Sequence, residues 1–154
     1  KLMLLLFMFL LFVTNTSFAA ENKSIIPGRS IGNIPLTIQP DEIVTQLGHP
    51  DSVESSGDLL TVGFKQSGLM FVYTKPANLL FIITFNPAYK DFFNLGVDSS
   101  TKAVLERYGK EYKLIEQGQL VTFLYLEKGI GFTFDKGKVL SVWVFPGKEK
   151  TIDT

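Results

Sequence analysis

The sequence predicts an α+β fold: two tandem helix-plus-three-strand repeats forming one antiparallel sheet of about six strands, with two helices on one face. Three observations carry this expectation. The chain matches itself at an offset of 61 residues, with positions 31–85 lying on 92–146 without a gap. The identical pairs include Gly48/Gly109, Gly57/Gly118, Leu59/Leu120, Thr61/Thr122, Gly68/Gly129, Phe71/Phe132 and Leu79/Leu140. Each copy opens with a helical apolar period and continues in strand-like alternation. A duplicated unit of this size is one supersecondary unit that cannot bury its apolar face alone, so the two copies should share one core.

Residues 1–19 read as a signal peptide. Lys1 precedes a 12-residue apolar run, 2–13, and Ser17-Phe18-Ala19 places small residues at −3 and −1 of a cleavage site after Ala19. The run is short for a membrane span, which needs about 20 residues. This implies a periplasmic or extracellular protein that meets the membrane only transiently, through that peptide. Residues 20–29 read as a flexible leader, 30–147 as one domain built from repeats 31–85 and 92–146, and 148–154 as a tail.

In the first copy Pro40 suits a first helical position and Asp41-Glu42 complement the helix N-terminus. Ile43, Val44 and Leu47 line one face, Gly48 stops the helix and Pro50 prevents its resumption. The second copy has Ser100 as N-cap, Val104, Leu105 and Tyr108 on one face, and Gly109 as the stop. Strand-like runs follow at 59–65, 69–75 and 79–85, and again at 120–126, 130–135 and 139–145. Asp135-Lys136-Gly137-Lys138 has hairpin-turn composition.

Strand alternation divides the sheet into two faces. One set, including Leu69, Phe71, Tyr73, Leu79, Phe81, Ile83, Phe132, Leu140, Val142 and Val144, is large and apolar and should lie under the helices. The other mixes Thr and Gly with Met70, Val72, Leu80, Ile82, Leu124, Trp143 and Phe145. A solvated face should turn polar. Contiguous apolar surface marks an interaction site, a dimer interface or a face covered by the chain itself. Those seven residues are therefore the candidate binding face, with Trp143 and Phe145 as aromatic anchors.

Chemistry finds little support. The chain has 15 basic and 15 acidic residues, and no basic stripe points to nucleic acid. It has no cysteine, so thiol catalysis, thiolate metal sites and a lipid anchor at the cleavage point are not expected. The single histidine, His49, lies near Asp51, but the repeat places Lys110 and Tyr112 at those positions, so a helix-exit loop is the better reading. No metal, cofactor or catalytic residue is assigned.

The segment Ile34-Pro35-Leu36, Pro40-Asp41-Glu42-Ile43-Val44 and Leu47-Gly48-His49-Pro50-Asp51 resembles the opening of a bacterial envelope module. It is similar to the outer-membrane-assembly lipoproteins of the SmpA/BamE type and to the tandem-repeat β-lactamase-inhibitor-protein-like fold. That resemblance implies helices packed on an antiparallel sheet whose open face holds a partner. The expectation is a non-enzymatic secreted or periplasmic binding module. Its partner would be an unknown protein or envelope component, with homodimerisation on the same face allowed for. The alternative is a carrier of a small apolar ligand or lipid.

Overall fold

The computed structural model describes residues 23–75 and 78–148. The expected signal peptide, its cleavage site and nearly all of the tail lie outside the described residues. Among the described residues, eleven strands and two helices run in the order β1 (Ile25–Ile26), β2 (Ser30–Ile31), β3 (Ile34–Pro35), α1 (Pro40–Leu47), β4 (Ser52–Ser56), β5 (Leu59–Phe64), β6 (Leu69–Thr74), β7 (Asn78–Thr84), α2 (Thr101–Tyr108), β8 (Lys113–Gln117), β9 (Leu120–Tyr125), β10 (Ile130–Asp135) and β11 (Lys138–Val144). β4 to β11 make one antiparallel sheet of order β4-β5-β6-β7-β11-β10-β9-β8, and β1 to β3 make a separate small sheet.

The fold is mostly β, which corrects the expected α+β arrangement of helix-plus-three-strand repeats on six strands. Each helix is followed by four strands, because β4 and β8 precede the predicted meanders. Their sequences, Ser-Val-Glu-Ser-Ser and Lys-Leu-Ile-Glu-Gln, hide them. Both are edge strands with almost every residue exposed, so backbone pairing rather than an apolar period holds them. Polar and charged side chains are the usual protection of such edges.

Both helices end as their sequence dictates. Ser100 Oγ accepts from the Ala103 amide at 3.1 Å. At α1 the Gln39 amide donates to Glu42 Oε2 at 2.9 Å, a reciprocal cap that offsets the missing Ser or Thr. Gly48 and Gly109 close the helices at φ 81° and 83°.

The core lies between the sheet and a layer made of both helices and β1–β3. Ile25, Ile31, Ile34 and Ile38 join Ile43 and Val104 over Phe64, Leu69, Phe71, Tyr73, Ile130, Phe132 and Phe134. The segment read as a leader is thus partly core, since Ile25 is buried and its amide donates to the Lys90 carbonyl at 2.7 Å.

The faces need one further correction. In β7 the register runs Tyr73↔Leu79 and then Val72↔Phe81, so Leu80 is the extra residue of a bulge. In β11 it runs Phe134↔Val139 and then Thr133↔Ser141, so Leu140 is the extra residue. Beyond the bulges, Phe71 faces Ile82 and Phe132 faces Val142. Ile82 is fully buried under the helices. Phe81 and Ile83, expected there, lie on the opposite face. The cause is the bulge itself: without the extra Leu80, the register Tyr73↔Leu79 would carry Phe81 to Phe71 on the core face. In β11, Val142 and Val144 lie under the helices as expected, so only in β7 does the one-residue slip exchange the expected faces.

The candidate open-face site and an aromatic tip

The face away from the helices is set by cross-strand partners at the centre of the sheet. Met70 lies opposite Ile83, which lies opposite Trp143, which in turn lies opposite Gly131 and so neighbours Leu124. Val72 lies opposite Phe81. Phe81 makes edge contacts with Trp143 and Phe145, at centroid distances of 5.4 and 5.7 Å. Edge-to-face geometry of this kind adds a modest attraction beyond burial. The Trp143 indole N–H donates to Ser141 Oγ at 3.1 Å, which fixes the ring.

Gly131 makes this packing possible. A Cβ there would sit 2.5 Å from Leu124 Cδ2 and 3.5 Å from Trp143 Cβ. The missing side chain lets Leu124 and Trp143 close over the strand from both sides. Beside them, Thr122 and Thr133 share a hydrogen bond of 2.8 Å, and both are buried.

The seven predicted residues divide into three groups. Met70, Val72, Leu80 and Trp143 are half-buried, and the first two and Trp143 lie on the open face. Leu124 and Phe145 are buried there, at 8% and 6% exposure. Ile82 belongs to the core on the other side. Phe81 and Ile83 were missed, and a gap placed in the β6–β7 hairpin of the self-alignment would have found them.

His49 is exposed at the exit of α1 and lines a cleft with Asp51, Gln66 and Asn86. The Asp51 carboxylate accepts from the Lys65 amide at 2.6 Å, a structural contact that ties the α1 exit to the end of β5. Among the described residues, no group of three His, Cys, Asp or Glu side chains could hold a metal ion.

A second feature lies in the connector between β7 and α2. Phe92 is 94% exposed and Phe93 45%. Their rings touch at 5.6 Å, and Phe93 also meets Tyr108 at 5.9 Å and the Arg107 guanidinium at 5.5 Å. Buried Asp91 holds this tip. Its Oδ1 accepts from the Phe93 and Leu95 amides at 2.8 Å each, and its Oδ2 accepts from the Tyr108 hydroxyl at 2.5 Å. Burial, reinforced by the Asp91 contact and charge, pushes the Tyr108 hydroxyl far above its ordinary range.

No protein-family model and no curated protein matches the chain. Among solved structures, the crystal structure of a DUF4309 family protein, YjgB, from Bacillus subtilis subsp. subtilis str. 168 is similar at 12% identity, covering 77% of this chain and 88% of that one, with a TM-score of 0.49. The arrangement implied by the resemblance to SmpA/BamE-type lipoproteins and to β-lactamase-inhibitor-like proteins is corrected by the sheet itself. Eight strands in the main sheet, four after each helix, differ from the helix-plus-three-strand arrangement that resemblance implied.

Proposed function

We propose that this chain is a non-enzymatic binding module of the cell envelope or its exterior, and that it holds a protein partner on the open sheet face. The observation supporting this reading is the half-exposed apolar strip of Met70, Val72, Phe81 and Trp143 across the middle strands, where a solvated face should be polar. Trp143 is the anchor. Its ring is fixed by Ser141 and Phe81, so little side-chain freedom is lost on binding. Anchors of this kind dominate binding energy. The location follows from the reading of residues 1–19 as a secretory peptide.

A photo-crosslinker at position 72, used in source cells, tests the reading. The expected result is one discrete protein adduct that Trp143→Ala abolishes while the thermal transition is retained. A crosslinker at Glu106, on the helix side, should give none. Adducts that are diffuse, or equal at both positions, would overturn the assignment. An apolar small molecule found on the chain by native mass spectrometry, with no protein adduct, would favour a carrier instead.

A further inference from the structure

Beside the aromatic tip lies a cleft of about 630 Å³, at the exit of α2 and the outer strands of the second half. Four lysines (Lys110, Lys113, Lys128 and Lys148) and two glutamates (Glu111 and Glu127) are its charged lining. All four lysines are exposed, and none makes an ion pair among the described residues. Tyr108 connects the two features, because it lines the cleft and touches Phe93. Arg107, stacked on Phe93, adds a further cation between them.

A phenyl ring that is 94% exposed costs solubility, and among the described residues the ring contact given for Phe92 is with its neighbour Phe93. The loop carrying it is nonetheless rigidly built. Asp91 accepts from two loop amides, and Asn94 is held at φ 61°, unusual for a residue with a side chain. A rigid apolar tip next to a set of free cations is the pattern of a surface that inserts rings at the acyl boundary and meets anionic headgroups around them. Lysine supports lipid over protein here: it is a compact point charge on a flexible stem, suited to phosphate without fixed geometry.

The geometry points to a second binding surface, in which Phe92 and Phe93 enter the interface of an anionic lipid layer while the lysine cleft takes a phosphate-bearing headgroup. It meets the open sheet face at Leu124, which lines the cleft, and neither reading depends on the other.

The chain contains no cysteine, so Phe92→Cys carries a unique environment-sensitive fluorophore. The full chain labelled at 92 is mixed with phosphatidylcholine vesicles, with or without about a third phosphatidylglycerol. The label should shift to the blue only on the anionic vesicles and revert in about 0.5 M salt. A label at Glu54→Cys, on edge strand β4, should keep its aqueous emission. In the unlabelled chain, Phe92→Ser should weaken the salt-sensitive binding about tenfold. Lys110→Ala with Lys113→Ala should weaken it about thirtyfold. Any binding through residues 1–22 is common to all variants and to both labelled positions, so the difference between positions 92 and 54 reads the tip. Three results would each overturn the proposal: aqueous emission at 92 on vesicles that carry the chain down, affinity indifferent to the lysines, or a shift at 92 produced by a protein from envelope extract and not by lipid. Glycerol phosphate filling the cleft while the label on vesicles stays in water would assign the cleft to a soluble anion and overturn it as well.

Discussion

Replacing Asp91 by alanine removes an acceptor that three donors share. The Phe93 and Leu95 amides and the Tyr108 hydroxyl all donate to this carboxylate, which is 7% exposed. A hydrogen bond to a charged group contributes about 1.5–3 kcal/mol, and a buried donor left without a partner loses its solvation as well. Taking the lower bound for three bonds gives a cost of about 4–5 kcal/mol for Asp91→Ala, a large share of an ordinary domain's stability. Asp91→Asn can keep both amide bonds through its remaining oxygen and disturbs only the Tyr108 contact. It should cost about 1.5–3 kcal/mol, and Tyr108→Phe should match it. Urea unfolding at constant slope reads these differences, and amide exchange at Phe93 and Leu95 locates them. A loss below about 1.5 kcal/mol for Asp91→Ala, or equal losses for Ala and Asn, would refute the idea that this carboxylate holds the aromatic tip.

Three further outcomes are expected. Ile82→Ala, in the core, should cost about 2–4 kcal/mol, whereas Met70→Ser on the open face should cost about 1 kcal/mol or less by the same urea assay. Equal losses would contradict the bulged register. Gly129→Ala should cost about 2–5 kcal/mol, because its φ is +68° and a Cβ would lie 2.3 Å from the Phe145 carbonyl oxygen; a neutral effect in thermal melts would disprove that packing. Burial pushes Tyr73 and Tyr125 up to about 12. Their hydroxyls stay protonated in the folded chain while the unfolded chain ionises near 10, so this stabilisation is complete below about pH 10 and is lost as pH rises towards 12. The loss is at most about 1.4 kcal/mol per pH unit for each in that window, reduced by solvent screening. Tyrosinate absorbance should therefore rise together with loss of structure, and a rise well before unfolding would count against their burial.

Much of the second half of each repeat was legible because its apolar residues alternate. β5, β6, β9 and β10 fall where that alternation places them, and both helices stop at their glycines. β4 and β8 were not legible, since Ser52–Ser56 carries one apolar residue and Lys113–Gln117 two, and edge pairing needs none. The short strands Ile25–Ile26, Ser30–Ile31 and Ile34–Pro35 are too brief to show a period. Leu79 and Leu140 match in sequence but not in structure: Leu79 pairs with Tyr73, whereas Leu140 bulges out at 40% exposure and Val139 takes its place. Of the open sheet face, Met70, Val72 and Trp143 were reached by alternation alone. Ile82 was misplaced, and Phe81 and Ile83 were missed, because alternation cannot foresee the extra Leu80 of the bulge. Phe92 carries no periodic signal at all, and only its exposure reveals it.

The central claim is that the open face is available to a partner. Trp143 is the single tryptophan and lies on that face, half-buried against Phe81. Sedimentation velocity of the chain from Ala20 onward, with acrylamide quenching of tryptophan emission on the same sample, tests the claim directly. A monomer whose Trp143 emission is readily quenched is expected. A dimer with protected, blue-shifted emission would show the face already covered by a second copy and would contradict it.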